Sequence, residues 1–243
     1  MSNFSIIIQA RLTSRRLPNK VLINLDHRNS LDFLIHRLSK CSQVREIIFA
    51  IPNTRENDDL EAFLKKENCK YFRGHENDVA LRYINSGEKY QVENVIRITA
   101  DCPLADPVLI DQMTLEFKKN NYDYYCNIMP PTYPDGFDIE IFKFSILKSY
   151  YQFFTEYDKE HVTTYLRKSN KINKGNKKHY IDESSLRLTL DNDDDLKMIK
   201  KLIAYENNLI NSSCQEIIDL YNSFPDADKI NKSYQRNYGL KNE

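Results

Sequence analysis

Phe4-Ser5-Ile6-Ile7-Ile8-Gln9-Ala10-Arg11-Leu12-Thr13-Ser14-Arg15-Arg16-Leu17-Pro18-Asn19-Lys20 is the stretch on which the reading of this chain turns. Its first six residues are a short β-branched run without polar alternation, the pattern of a parallel strand buried on both faces. A polar loop comes next, carrying Arg11, Arg15, Arg16 and Lys20 with the hydroxyl residues Thr13 and Ser14. In open α/β sheets ligands sit at the carboxyl ends of the strands. Arginine forks and a lysine point charge are the side chains suited to phosphate oxygens there. The loop lacks GxxxxGK[ST], so it is not a P-loop. A solvated basic loop explains the same residues, and the loop alone does not choose between the two.

Beyond this stretch, strand-like and helix-like segments alternate. Ser30 precedes Leu31, Leu34, Ile35 and Leu38 at helical spacing, with the serine as the expected cap. Strands are expected at 46–51, 70–73, 94–99 and 123–127, with helices at 58–67, 76–89 and 107–119 between them. That order calls for an α/β fold with a mostly parallel sheet covered by helices on both faces. After about residue 128 the pattern changes. Met129-Pro130-Pro131-Thr132-Tyr133-Pro134-Asp135-Gly136 reads as a functional loop, or a small β excursion that continues with the alternating run Phe137–Phe142. Helices are expected at 143–152 and 158–168, then a basic loop at 169–178. A last strand is expected at Leu186–Leu190, then helices to about 207 and at 214–222. No linker separates two domains. The expected organisation is a single domain over 1–243, with a first part at 1–127, a second at 128–210, and a terminal helix and tail at 211–243.

Composition narrows the function classes. Thirty-five Lys plus Arg balance 35 Asp plus Glu over 243 residues, so the net charge is zero. The excess of basic charge that marks nucleic-acid or anionic-lipid binding is missing. Five dispersed cysteines without a CxxC pair give neither a zinc ribbon nor a disulfide framework, and free thiols suit a cytoplasmic protein. The apolar run Ile6–Ile8 falls far short of a membrane span.

Two acidic clusters complete the set. Thr99-Ala100-Asp101-Cys102-Pro103-Leu104 ends a predicted parallel strand, and Asp191-Asn192-Asp193-Asp194-Asp195 comes after the strand at 186–190. Mg²⁺ favours one or two carboxylates together with phosphate oxygens and water. Two aspartates from different strand ends, facing a basic phosphate loop, make that arrangement. Asp193 and Asp194 are read as capping and dipole residues of the next helix, whereas Asp195 suits either role. His161 reads as a core histidine, His75 as a turn residue, and Cys102 as a small buried residue without a histidine partner.

Taken together, these segments closely resemble a known family. Residues 7–22 resemble the opening signature of the spore-coat polysaccharide biosynthesis (SpsF-type) cytidylyltransferases, relatives of the acylneuraminate and Kdo cytidylyltransferases. Further segments agree in order: Arg73-Gly74-His75-Glu76-Asn77-Asp78-Val79 with Arg82-Tyr83; Val95 to Leu104; Pro134-Asp135-Gly136-Phe137-Asp138-Ile139-Glu140; Glu160-His161-Val162-Thr163; and Arg187-Leu188-Thr189-Leu190-Asp191 with Asp195-Leu196. The resemblance implies a nucleotide-diphospho-sugar transferase fold, GT-A-like and Rossmann-like, with 1–127 as its nucleotide-binding half and 128–210 as its acceptor and metal half. It also implies Mg²⁺-dependent transfer of CMP from CTP to a sugar or sugar acid, with pyrophosphate released, for surface-polysaccharide synthesis. Carried over residue by residue, Arg11, Arg16, Lys20 and Asp101 are the expected catalytic residues. Gln9, Ala10, Arg11, Ser14, Lys20, Asp78, Arg82, Thr99 and Ala100 would bind the nucleotide, and Asp101 and Asp191 the metal. Asp135, Asp138, Glu140, His161 and Arg187 would line the acceptor pocket. The expected partners are CTP, a sugar, sugar-acid or phosphorylated acceptor, and a second copy in a homodimer, with neither nucleic acid nor membrane.

Thr13 and Asn19 stand where many members carry glycine, and Arg15 replaces a usual threonine. Thr13 adds a Cβ where the backbone approaches phosphate, whereas asparagine tolerates a left-handed φ. Two other products stay open: a CDP-conjugate made from a phosphorylated acceptor, and transfer from a nucleotide sugar by a GT-A glycosyltransferase. The second is disfavoured because Asp101-Cys102-Pro103 is not the Asp-x-Asp of such enzymes. A catalytically dead binding protein is disfavoured by the joint presence of Arg11, Lys20, Asp101 and Asp191.

Overall fold

Phe4–Gln9 forms β1 and takes parallel partners on both edges. Ile6 and Ile8 lie in register with Ile47 and Phe49 of β2 (Glu46–Pro52) and with Ile96 and Ile98 of β4 (Asn94–Thr99). A strand enclosed in this way has no polar face, and Ile6, Ile7 and Ile8 are all fully buried. The computed structural model describes residues 3–226, 230, 231, 234 and 236. Among them the sheet is completed by β3 (Lys70–Gly74), β5 (Tyr124–Cys126), β6 (Glu140–Lys143) and β7 (Lys174–Asn176), in the order β3-β2-β1-β4-β6-β5-β7. Strand β6 runs antiparallel to β4 and β5. The polarity of the sheet thus switches after the first half of the chain.

Side chains of β1 divide the core in two. Ile6 and Ile8 face a cluster with α1 (Ser30–Leu38), α2 (Asp58–Lys66), α4 (Pro107–Asn120), α8 (Asp193–Tyr205) and α9 (Cys214–Asn222). Ile7 faces the other cluster, built on α3 (Val79–Lys89), α5 (Phe144–Tyr151) and α7 (Thr164–Lys168). Asp106 caps α4 through the Val108 amide at 2.8 Å, ahead of Pro107 in the first turn. For α1 the cap is Asn29 rather than Ser30, its side chain accepting from the Asp32 amide.

Four local expectations are corrected. Helix α3 begins at Val79, because Asp78 caps it, and not at Glu76. The helix expected over 158–168 is split into α6 (Glu156–His161) and α7 by Val162, whose φ of 61° is costly for a β-branched residue. The basic loop contributes β7, a polar edge strand with no alternation to betray it. The strand expected at Leu186–Leu190 is not part of the sheet. It runs extended beside 134–137, joined by an isolated parallel bridge between Asp135 and Arg187. Gly136, at φ 107°, turns the partner segment away before a ladder can extend.

Candidate active site

The loop after β1 is held by its own backbone and by a buried asparagine. The Asn19 amide donates to the Leu12 carbonyl at 3.2 Å, and the Leu12 amide to Asn57 Oδ1 at 2.9 Å. Asn19 has φ 56°, so the asparagine takes the left-handed conformation where a glycine is common. Thr13 has no positive φ, so its Cβ sits on ordinary backbone. Arg11, Arg15 and Arg16 are exposed on this loop, while Lys20 turns inward.

Lys20 joins the acidic clusters. Its Nζ lies 3.0 Å from Asp101 Oδ2 and 2.7 Å from Asp191 Oδ1. Arg16 Nη2 reaches the other Asp191 oxygen at 3.0 Å. Thr99, at the end of β4, donates its hydroxyl to Asp101. Burial opposes the Lys20 charge, but Asp101 and Asp191 outweigh it and raise the ammonium above its usual pKa. Burial likewise opposes ionisation of Asp101, yet Lys20 and the Thr99 hydroxyl hold its carboxyl down at about 2. The Lys20 ammonium thus lies between the carboxyl groups of Asp101 and Asp191, and Asp101 is held in its ionised form. The segment at 186–190 is brought to this point by the Leu190 amide, which donates to the Asp101 carbonyl at 2.8 Å.

Next to this centre lies a second group of charges. Arg187 donates to Asp135 at 2.9 Å, to Asp195 at 2.8 and 2.9 Å, and to Asp191 at 3.4 Å. Arg187 thus ties the metal-side and acceptor-side candidates together. Asp195 is fully buried and also accepts from the Asp191 and Asn192 amides, so it braces the turn. Asn192, for which the sequence suggests no role, caps α8 with Asp195 in a reciprocal box. Burial, then the neighbouring Asp138, raise the Asp135 carboxyl to about 7. Asp138 is raised by burial and opposed by Arg236, which pairs with it.

The remaining candidates are more dispersed. Glu140 is buried on β6 and bound by Arg97, Arg167 and the Tyr124 hydroxyl. Its carboxylate braces the junction of β4, β6 and α7 and does not meet Lys20. Arg97 also donates to Gln9 Oε1 at 3.0 Å, fixing Gln9 at the end of β1. Ala10 and Ala100 are buried where the Ala100 amide donates to the Gln9 carbonyl. Ser14 is half-buried in the loop. Asp78 caps α3 and accepts from the Tyr151 hydroxyl at 2.6 Å. Arg82 is buried and donates to the His75 carbonyl at 2.9 Å, and burial, foremost, brings its pKa down to about 10, with Arg11 adding to the effect. His75 serves the same turn, accepting from the Asp78 amide at 2.8 Å. His161 packs on the Tyr157 ring at the end of α6. Cys102 is buried, and burial followed by Asp101 pushes its thiol far up, which leaves it inert.

Sequence reasoning missed the braces. Asn57, Asn127, Arg97, Arg167 and Asn192 are ordinary polar residues whose roles appear only once their partners are in place. Asn127 is the clearest case. Its amide donates to the Phe137 carbonyl at 2.7 Å and accepts from the Ile139 amide at 2.9 Å, setting the segment that carries Asp138 into β6.

Among the described residues no cluster of three or more His, Cys, Asp or Glu could hold a metal by itself, and no helix is long and apolar enough to cross a membrane. The cytidylyltransferase family model matches residues 5–223, which takes in both strand-end carboxylates and the loop. An uncharacterized protein of Methanocaldococcus jannaschii is 33% identical over 236 residues, 95% of each chain. The spore coat polysaccharide biosynthesis protein SpsF of Bacillus subtilis is 31% identical over 240 residues, 93% of this chain and 97% of that one. A solved cytidylyltransferase from Leptospira borgpetersenii serovar Hardjo-bovis superposes with a TM-score of 0.89 at 28% identity, covering 93% of this chain and 97% of its own. Full-length likeness of this kind, on a sheet that gathers Lys20, Asp101 and Asp191 at one point, places the chain in the cytidylyltransferase family, among the nucleotidyltransferase enzymes.

Proposed function

We propose that this cytidylyltransferase transfers CMP from CTP to an anionic sugar, of the sugar-acid kind, for surface-polysaccharide synthesis, with Arg11, Ser14, Arg16 and Lys20 gripping the triphosphate. The observation that carries the reading is the Lys20 ammonium shared between Asp101 and Asp191. Carboxyl groups from two separate parts of the chain, gathered around one cation, fit a divalent ion. Two protein ligands, with phosphate oxygens and water for the rest, is the donor set of Mg²⁺. Asp101 and Asp191 would hold that ion, which supplies charge neutralisation on the phosphoryl oxygens when bound.

The residues of the chain account for the rest. An acceptor oxygen attacks the α-phosphorus in line and pyrophosphate leaves, so charge builds on phosphoryl oxygens and positioning dominates. Lys20 and Arg16 stabilise the leaving pyrophosphate, and Arg11 adds a third cation at the loop's exposed side. Gln9, held by Arg97, and Ala10 lie beside the nucleotide, with Thr99 keeping the Asp101 carboxylate oriented. Arg82 and Asp78 keep the turn at 75–78 in shape on the nucleotide side. Asp135 and Asp138 take the acceptor's hydroxyl groups, and Arg187 fixes Asp135 relative to Asp191.

Pyrophosphate release tests the reading, with each of the four nucleoside triphosphates against a panel of sugar acids and sugar phosphates. CTP with a sugar acid should release pyrophosphate only when Mg²⁺ is present, and the product should have the mass of a CMP-conjugate. A CDP-conjugate would move the acceptor to a phosphorylated sugar. Release from all four nucleotides at equal rates would remove the cytosine assignment.

A further inference from the structure

The guanidinium groups around the acceptor candidates differ in how their donors are used. Arg187 spends Nε, Nη1 and Nη2 on Asp135, Asp191 and Asp195. Arg97 and Arg167 share Glu140, and Arg97 also donates to Gln9, its Nε being shut inside without a partner among the described residues. Arg236 is different. It lies beyond residue 223, where the match to the family ends. Its Nη1 donates to the Tyr133 carbonyl at 2.9 Å, and its Nη2 pairs with Asp138, its one carboxylate partner among the described residues. A guanidinium carries five N–H donors in a planar fork, so these contacts leave donors for a further anion.

The chain around Arg236 is fastened to the same pocket. Asn231 is fully buried, and its Nδ2 donates to the Arg187 carbonyl at 2.9 Å and to Asp195 Oδ1 at 3.0 Å. The Tyr234 ring lies 5.8 Å from the Arg187 guanidinium carbon. Arg236 is thereby held against Tyr133 and Asp138, in the segment that also carries Asp135. Planar carboxylates and phosphates match a guanidinium fork, and Asp138 already holds this one by a carboxylate.

We propose that Arg236 is an acceptor-recognition residue, whose guanidinium binds the anionic group of the acceptor, a carboxylate or a phosphate, and that Asn231, Tyr234 and Arg236 form one wall of the acceptor site. The proposal rests on the acceptor reading of Asp135 and Asp138 given above and adds to it the group that reads the acceptor's charge. Asp138 holds the fork in place, and the acceptor's anion takes the donors that Asp138 leaves.

Calorimetry on the full-length protein separates the outcomes. Protein saturated with Mg²⁺ and a non-hydrolysable CTP analogue is titrated with 3-deoxy-manno-octulosonate as the carboxylate probe, glucose 1-phosphate as the phosphate probe and N-acetylglucosamine as the neutral one. One anionic probe should bind the wild type at least about tenfold more tightly than Arg236→Ala or Arg236→Gln, with the neutral probe unaffected. Arg236→Lys should fall between, since it keeps the charge and loses the fork. The affinity for the CTP analogue should stay within about twofold in all variants, and a melting scan of Arg236→Gln checks that the fold survives. Which anion discriminates names the acceptor class. Equal affinities of wild type and variants for both anions, or no binding of either anion to the nucleotide-loaded wild type, overturns the proposal. Loss of CTP binding in the wild type itself would instead sink the nucleotide reading beneath it.

Discussion

Lys20 is the residue on which the charges of the site balance. Without it, the carboxylates of Asp101 and Asp191 would repel across the gap. Lys20→Ala and Asp101→Ala should each lower turnover by roughly 10²–10³, the size of one lost electrostatic group in a preorganised site, about 2.7–4 kcal/mol. A melting scan of each variant checks that the fold survives the loss of the charge pair. Pyrophosphate release by the purified variants checks the fall in turnover, and near-normal rates in either would refute the role. Glu140 calls for the opposite result. Burial opposes its charge, yet Arg167 and Arg97 hold its carboxyl at about 2, against an ordinary 4.5. A depressed carboxyl stabilises the fold above its unfolded value, and that stability is lost as pH falls from about 4.5 towards 2. Glu140→Gln leaves two partly buried guanidinium groups without their counter-charge and should cost up to about 3 kcal/mol, the low end for a buried pair. Thermal melts over that acid range should show the wild type losing stability more steeply than Glu140→Gln, and parallel curves would argue against the assignment.

Among the elements, the extended segment at 186–190 matters most, because it brings Arg187 and Asp191 to the end of β4 without joining the sheet. Its contact with 134–137 needs a close backbone approach. A Cβ built on Gly136 would lie 2.5 Å from the Leu188 carbonyl carbon and oxygen and 2.6 Å from the Thr189 nitrogen. These are backbone atoms, which cannot swing aside, and the φ of 107° adds strain of order 1–3 kcal/mol for a side-chain-bearing residue. Gly136→Ala should therefore push Asp135 from Arg187, lower the melting midpoint and raise the acceptor KM, while the KM for CTP changes little. An acceptor KM equal to wild type would show that the Asp135–Arg187 contact does not shape the acceptor site. The same segment shows how a strand pattern can mislead. Leu186, Leu188 and Leu190 alternate with Arg187 and Thr189 as in a half-exposed strand, yet all five are buried, so the pattern finds the apolar positions and misses the burial of the polar ones. Membership of the sheet depends on the partner's path, set by Gly136, and periodicity carries no information about that.

At the scale of the molecule, the parallel half of the sheet is legible in the sequence because each of its central strands is a compact apolar run framed by helical spacing, as at Ile6–Ile8 and Ile47–Ile51. The basic loop, Asp101 and Asp191 are legible as motifs, yet their convergence on Lys20 is a matter of resemblance until the fold brings them together. The braces stay hidden because a buried polar residue looks like any surface one until its partner is known. Arg37 is the largest of these. It sits in a helix that reads as plainly amphipathic, but is almost wholly buried. It donates to the carbonyls of Ala105, Leu209 and Ser212 at 3.0, 2.9 and 2.8 Å. Burial lowers its pKa to about 10, with Asp106 opposing, so it keeps its charge. Asp106, besides capping α4, accepts from the Cys214 amide at 2.8 Å. Helix α1, the start of α4 and the approach to α9 are thereby pinned at one point, so the halves on either side of residue 128 should unfold together. Arg37→Met keeps the length and removes every donor, orphaning carbonyls at about 1–3 kcal/mol each. Even a total of about 3 kcal/mol lowers the midpoint of a chain this size by roughly 6–12 °C. Calorimetry should show one transition in the wild type and one in Arg37→Met, moved down as a whole. Two transitions, with only the later part of the chain shifted, would mean that the halves fold independently and that Arg37 merely fastens one to the other.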